Sequence, residues 1–152
     1  MHLPLIVRWP GAEPGRTVDD LVYNLDMTAT VYDAGSADGH EAIDGQSLRP
    51  LLTGEAGWKR RPYVTCRCDD SVCCIDDEYW VRTNVRGEPG ELFDVRKDPQ
   101  CRTPLPWREH PAVFRRAWER LLADAGGAFP IYDKKTYKRT DAIGERVVKP
   151  SG

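Results

Sequence analysis

The sequence predicts an α/β fold in two unequal pieces. An edge strand and helices of a larger sheet come first, followed by a small antiparallel sheet packed by one C-terminal helix. Three observations predict it. The apolar run Leu3-Pro4-Leu5-Ile6-Val7-Arg8 ends in a Trp9-Pro10-Gly11 turn with no element ahead of it, and an apolar strand of that type normally lies inside a sheet flanked on both faces. Beyond residue 62 the period becomes two: Val64, Cys66 and Cys68 alternate with Tyr63, Thr65 and Arg67, as on a half-buried strand. Val113, Phe114, Ala117, Trp118, Leu121, Leu122 and Ala125 then recur at i, i+3/i+4, the spacing of one buried helix face.

In chain order, residues 4 to 8 read as the first strand. A helix is predicted from Asp26 to Ala34, with Gly35 as its stop and Met27, Val31 and Tyr32 as its apolar positions. Residues 35 to 45 form a small polar loop, and Ser47 can N-cap a short helix through Leu52 by accepting from a free backbone N–H. The basic link Trp58 to Arg61 sets a boundary. Residues 1–57 then read as the incomplete end of a main domain, 58–127 as a small subdomain and 128–152 as a polar tail. Tyr79 to Asn84 is a second strand, and Gly87-Glu88-Pro89-Gly90 supplies the turn into a strand over Glu91 to Val95. Asp98-Pro99 closes that unit. Pro111 suits a first helical turn, where its missing N–H costs nothing, Trp118 is the central anchor of the stripe, and Gly126-Gly127 ends the helix. From Lys134 the chain has few apolar anchors, so a loosely held tail is expected.

At 152 residues the chain is long enough for one domain with its own core. Twenty-two basic against 24 acidic side chains leave a formal charge of −2, which argues against a nucleic-acid binder. No apolar run approaches the roughly 20 residues that cross a membrane, and Arg8 and Pro10 interrupt the apolar stretch nearest the N-terminus, so it does not read as a signal peptide. Thirteen glycines and 12 prolines indicate many turns between short elements.

Several residues invite chemical readings. Cys66, Cys68, Cys73 and Cys74 lie close together, with Cys101 apart. Clustered thiolates can bind zinc, but the spacing departs from paired Cys-x2–4-Cys sites. A disulfide, or thiols packed as small hydrophobes on one strand face, are the alternatives; adjacent Cys73 and Cys74 would strain a mutual bond. Asp69-Asp70 and Asp76-Asp77 resemble paired carboxylates, yet no histidine accompanies them and turn chemistry between strands explains them more simply. His40 and His110 have no nucleophile at a recognisable spacing; His110, just before a helix proline, reads as a cap or surface residue. In the tail, Lys134, Lys135, Lys138, Arg139, Arg146 and Lys149 are interleaved with Asp133, Asp141, Glu145, Tyr132 and Tyr137. A solvated tail accounts for them better than a polyanion contact.

Four ordered segments carry a family resemblance: Pro4-Leu5-Ile6-Val7-Arg8 with its Pro10-Gly11 turn; Val18 to Asp26 leading into a helix; Asp44-Gly45-Gln46-Ser47-Leu48 followed by Pro50-Leu51-Leu52-Thr53-Gly54; and Glu91-Leu92-Phe93-Asp94 with Asp98-Pro99. Together they resemble the C-terminal portion of a sulfatase, in the alkaline-phosphatase-like superfamily, over roughly residues 3 to 125. The larger sheet is then the alkaline-phosphatase-like one, and the small sheet and helix are the sulfatase C-terminal subdomain. One departure is Asp26-Met27-Thr28-Ala29-Thr30, where the family usually has Asp-x-x-Pro-Thr; losing that proline should alter the start of one helix.

The resemblance implies sulfate-ester hydrolysis in a parent protein, with a formylglycine nucleophile made from a Cys/Ser-x-Pro-x-Arg motif and a calcium or magnesium ion. That chemistry needs a hydrated aldehyde, a cation to lower its pKa and positive groups on the sulfate oxygens. Family members hold these upstream of the matching segments. Cys101-Arg102-Thr103-Pro104 puts its proline one place too late, and Asp38-Gly39-His40 has its letters in the wrong order for an Asp-His-Gly metal motif. No catalytic, cofactor-binding or metal-binding residue is therefore assigned, and the chain alone is expected to be inactive. Met1-His2-Leu3 reads as an internal stretch of a longer protein. The expected partners are the missing N-terminal part of the sulfatase domain and, for the parent, a sulfate ester, with self-association of the isolated chain. The alternatives are a stand-alone non-catalytic interaction module and a fragment of a related phosphonate or phosphate ester hydrolase.

Overall fold

Four strands pair in the order in which the chain lays them down. The computed structural model describes residues 4–36 and 43–130, together with the backbone of 137–139 and 146–148. Strands β1 (Tyr63–Cys68), β2 (Ser71–Asp76), β3 (Tyr79–Asn84) and β4 (Pro89–Asp94) form one antiparallel meander. Asp69 adopts φ +56 in the first turn, a conformation that aspartate tolerates. In the second turn, Oδ1 of Asp76 accepts from the backbone of Glu78 (3.0 Å) and Tyr79 (2.8 Å). Asp69-Asp70 thus form the turn between β1 and β2, while Asp76 ends β2 and Asp77 opens the next turn. The strand β2 has no alternation in sequence because Val72, Cys73, Cys74 and Ile75 are apolar towards both faces.

One face of the meander is covered by the helix α3 (Pro111–Asp124), which follows two shorter N-terminal helices. Val72, Cys74, Val81, Val85, Leu92, Ala117 and Leu121 make the buried core, with Tyr63, Tyr79, Leu105, Phe114, Trp118 and Phe129 packed around it. The predicted stripe is the face that closes this core. Trp118 lies at its margin, half-buried. Its indole lies over Gly87, where an added Cβ would come within 3.0 Å of the ring and where φ is +80.

On the opposite face, register aligns Val64, Ile75, Trp80 and Phe93 in one row across the sheet. Trp80 stacks on Phe93 at 5.3 Å, and its buried Nε1 has no partner among the described residues. The strand β1 corrects one expectation. Thr65 is its buried residue, whereas Cys66 and Cys68 are exposed. The reason is that Tyr63, Thr65 and Arg67 point to the helix side, where Thr65 Oγ1 donates to Asp124 Oδ2.

Both outer edges of the sheet are occupied by groups from elsewhere. The Tyr23 hydroxyl donates to the carbonyl of Thr65 (2.6 Å) and accepts from its N–H. The Leu105 N–H donates to the carbonyl of Leu92 (2.7 Å). The expected strand over residues 4 to 8 does not form: no ladder among the described residues includes it. A strand needs a partner edge, and on the rims of the four-stranded sheet Tyr23 and Leu105 stand in that place. Leu5, Ile6 and Val7 are left exposed, Ile6 at 94%.

The helices α1 (Asn24–Ala34) and α2 (Arg49–Thr53) precede the sheet. Gly35 follows α1 as predicted. The apolar positions Met27, Val31 and Tyr32 face solvent, while Asp26, Ala29 and Thr30 are buried. Ala29 keeps a backbone donor that proline lacks, and the helix runs unbroken through it. The N-cap of α2 is Leu48 rather than Ser47, although the Ser47 hydroxyl does accept from the Arg49 N–H at 3.1 Å. Near the C-terminus, where the sequence suggests only a tail, β5 (Tyr137–Arg139) pairs with β6 (Arg146–Val148). The remaining tail residues singled out above, with Met1 to Leu3 and Asp38-Gly39-His40, lie outside the described residues.

Leu121 sits at the centre of this core and Trp118 at its rim, so truncation should separate them. Leu121→Ala is expected to cost about 2–5 kcal/mol, the range for a buried leucine. Trp118→Ala should fall below the 3–5 kcal/mol typical of a fully buried aromatic. Urea unfolding midpoints of the two variants test this; a larger loss for Trp118→Ala would contradict the packing described.

Candidate functional site

Among the described residues two carboxylates accept four hydrogen bonds each, those of Asp26 and Asp76, and that of Asp26, in the first turn of α1, is 0% exposed. Its Oδ2 accepts from the Tyr23 N–H (2.7 Å) and Arg61 Nη1 (2.7 Å), and its Oδ1 from the Gln46 N–H (2.8 Å) and Arg61 Nη2 (2.7 Å). The Tyr23 bond closes the start of the helix, where backbone donors lack intrahelical partners. Arg61 forms a bidentate pair, whose geometry suits two parallel N–H···O bonds. Its guanidinium lies 5.2 Å from the Tyr23 ring centroid and 6.0 Å from that of Trp58.

The Asp44-Gly45-Gln46-Ser47-Leu48 segment is the counterpart that docks on this helix. A Cβ on Gly45 would lie 2.2 Å from the carbonyl oxygen of Leu25, so only glycine lets the loop approach closely enough for Gln46 to reach Asp26. The Ser47 hydroxyl donates to Asp33 Oδ2 (2.7 Å). The Leu48 N–H donates to Thr30 Oγ1 (2.8 Å), which itself donates to the carbonyl of Asp26. The segment is thus a structural clamp. The later signature works in the same way. Leu92 and Phe93 are buried, Asp94 Oδ1 accepts from the Arg96 and Lys97 N–H groups, and Asp98 Oδ2 accepts from those of Arg102 and Thr103.

The basic link reaches back to the first half of the chain. Trp58 Nε1 donates to Asp20 Oδ2 (2.6 Å), and Arg60 pairs with both Asp20 (3.0 Å) and Asp77 (2.8 Å). Beside it, Tyr23, Thr65 and Asp124 form a hydroxyl–carboxylate cluster. Burial pushes the Tyr23 phenol up; its bonds with Thr65 oppose that shift, and the Asp124 charge adds to it. A shallow cavity of about 340 Å³ opens next to this cluster, lined by Cys66, Arg67, Asp124 and Phe129 among others. The Thr65 hydroxyl is committed to Tyr23 and Asp124, so it is not presented as a nucleophile.

A second cluster lies under α3. Asp76 Oδ2 pairs with Arg120 (2.7 Å) and Arg116 (3.2 Å), and Arg120 also lies 4.6 Å from the Tyr63 ring centroid. Burial alone would raise the Asp76 carboxyl. The Tyr79 and Glu78 N–H groups and Arg120 outweigh it and hold the carboxyl below its usual range. Cys74, buried beside Arg120, has its thiol pushed up to about 11, chiefly by burial.

Cys66 and Cys73 face each other across β1 and β2 with their sulfurs 3.2 Å apart. Partial desolvation and the bond to Cys73 push the Cys66 thiol up to about 11. His110 occupies the N-cap position of α3, but its side chain makes no cap bond; its ring tilts against Tyr79 at 6.4 Å. Among the described residues no three His, Cys, Asp or Glu side chains converge to hold a cation. The carboxylates of Asp26 and Asp76 are engaged by arginines and backbone donors. The described residues thus offer no cluster that fits calcium or magnesium, and no chemical step through either is derived. The Asp26–Arg61 pair was not legible in the sequence, since no spacing rule links residues 35 positions apart.

The geometry places the signature segments in a scaffold, and comparison with known proteins identifies which. Residues 1–121 match the family described as N-sulphoglucosamine sulphohydrolase, C-terminal. The chain belongs to this C-terminal sulfatase family. Human N-acetylglucosamine-6-sulfatase is 42% identical over 55 residues, which cover 36% of the chain and 10% of that enzyme. A crystal structure of a candidate sulfatase from Bacteroides thetaiotaomicron superposes with a TM-score of 0.60 at 25% identity, covering 78% of the chain and 29% of that protein. A phosphonate monoester hydrolase from Silicibacter pomeroyi shares the fold, with a TM-score of 0.61 at 24% identity over 80% of the chain and 28% of its own length. The sulfatase C-terminal chain described here thus spans a minor part of each of these relatives.

Two outcomes follow from the clusters. Asp26→Ala leaves the Arg61 guanidinium without its buried partner and should cost about 3–5 kcal/mol, read as a lowered urea midpoint; an unchanged midpoint would show that the pair carries no weight. Asp76 gives a pH dependence. Because its folded pKa is depressed, its stabilisation is present above the ordinary aspartate value of 3.8 and is lost as pH falls through the lower folded value. Stability measured from pH 6 downwards should therefore fall less steeply below about pH 4 in Asp76→Asn than in the parent sequence.

Proposed function

We propose that this chain is the C-terminal structural portion of a sulfuric ester hydrolase, and that it is inactive alone. Residues 1–57 are then the end of the main sulfatase domain, 58–127 the small C-terminal subdomain and 128–152 a polar tail. The catalytic part contributes the formylglycine, the calcium or magnesium site and the groups that hold the sulfate. This chain contributes scaffold, with no catalytic, cofactor-binding or metal-binding residue of its own.

One observation carries this reading. Among the side chains described, the exposed large hydrophobics all lie between Leu5 and Tyr32. Residues 63 to 125 close their own core, while Ile6, Leu25, Met27 and Val31 lie open on the N-terminal third. Exposed apolar groups gathered in this way mark a surface that packs against another body. The upstream catalytic part of the sulfatase domain is the occupant we assign to it, and self-association is the outcome when that part is missing.

The purified chain, assayed with calcium or magnesium on a chromogenic aryl sulfate, is expected to show no turnover above a heat-killed control. Turnover above that control would overturn the reading. The shared architecture with a phosphonate monoester hydrolase supports a second reading, in which the parent acts on phosphonate monoesters. An in-frame Cys/Ser-x-Pro-x-Arg motif in the DNA upstream of the Met1 codon supports the sulfatase reading. A protein made from that longer frame that prefers phosphonate monoesters to sulfate esters would establish the second.

A further inference from the structure

We propose that Cys66 and Cys73 form a reversible disulfide site, a dithiol that low-molecular-weight disulfides oxidise across the β1–β2 ladder. The two residues are direct partners in register. Their sulfurs lie 3.2 Å apart, and neither is bridged.

The register and the approach of the two sulfurs suit the bond. The N–H and carbonyl of Thr65 both point outward to the Tyr23 hydroxyl. Backbone groups alternate along a strand, so those of Cys66 point inward and Cys66 with Cys73 is a hydrogen-bonded pair. Such pairs have Cα atoms about 5.5 Å apart, inside the 4.4–6.8 Å that a disulfide spans. Closing the bond needs side-chain rotation and a small approach of the two strands. Cys66 is exposed and Cys73 half-buried, so a small reagent can reach them, and exposed disulfides are the readily reduced ones.

The other thiols are placed differently. Cys74 is buried on the opposite face, next to Arg120. Cys68 pairs in register with Ser71. Cys101 lies in the turn after β4, beside Asp98. One pairing is therefore favoured over all others.

The step balances by two exchanges. The thiolate of one cysteine attacks a low-molecular-weight disulfide, forms a mixed disulfide and expels one small thiolate, which takes up the proton lost. The second protein thiol loses its proton and attacks the protein sulfur of that mixed disulfide, expelling the second small thiol. Two protein thiols are oxidised, and one small disulfide is reduced to two thiols.

The test uses the whole chain with oxidised glutathione at mildly alkaline pH. Titratable thiols in denaturant should fall from five to three, and excess reduced glutathione should restore them. Trypsin cleaves after Arg67, between the two cysteines, so non-reducing digestion followed by mass spectrometry shows a cross-link from the Cys66 peptide to the one bearing Cys73. Fragmentation assigns the sulfur. Cys66→Ser and Cys73→Ser should each abolish the link, and Cys68→Ser should retain it. Circular dichroism of each variant confirms that the sheet persists. Loss of fewer than two thiols, a link to Cys68 or Cys74, intermolecular dimers through Cys66, or failure of reduced glutathione to reverse the bond would overturn the proposal.

Discussion

A charge taken fully out of water must be matched within the protein, and the first half of this molecule is organised around one such charge. The Asp26 carboxylate is matched from three separate places: the residue before α1, the loop at Gln46 and the link at Arg61. Each donor fixes one segment relative to the helix. Remove the carboxylate and the loop, the link and the helix start lose their common reference together. The uncompensated guanidinium left behind is the costly part, because a buried pair is far more expensive to break than to replace. Arg61 also stands immediately before the sheet, so this one pair ties the N-terminal segment to the subdomain that follows.

The short signatures that identify the family take on a physical meaning here. Gly45 allows two backbones to meet, Ser47 and Thr30 bridge loop to helix, and Asp94 and Asp98 gather loose N–H groups after β4. These residues specify how loops dock, and none of them is arranged as a nucleophile or a general base. The fold they hold together is shared by a candidate sulfatase and a phosphonate monoester hydrolase. Fold and chemistry are written in different parts of such a protein.

Local rules recovered the elements that local forces decide. The stripe from Val113 to Leu122, the proline at the start of its helix, the strand at Tyr79–Asn84 and the stop at Gly35 follow from periodicity and capping. Where the structure departs from the sequence reading, a long-range contact decides. Leu5, Ile6 and Val7 have strand character, but Tyr23 and Leu105 stand on the rims of the four-stranded sheet. Cys66 and Cys68 alternate as a buried face would, yet the Thr65–Asp124 bond turns the other face inward. On α1 the residues that look apolar lie outside and an aspartate lies inside, because Arg61, 35 positions later, supplies the partner that makes burial possible. Nothing in the spacing of residues near Asp26 encodes that arginine.

The two occupied rims of the sheet bear on how separate copies of the molecule can meet. A bare strand edge offers a row of backbone donors and acceptors on which another chain can template. Here a phenol fills the middle of one rim and a main-chain amide the middle of the other, and Pro89 has no N–H to offer at the end of the second. Continuous ladder growth from copy to copy is interrupted on both sides. The apolar side chains exposed near the N-terminus, by contrast, can adhere only without register. If copies of the chain associate through those side chains, the expected result is reversible clusters sensitive to mild detergent, in place of fibrils that extend this sheet.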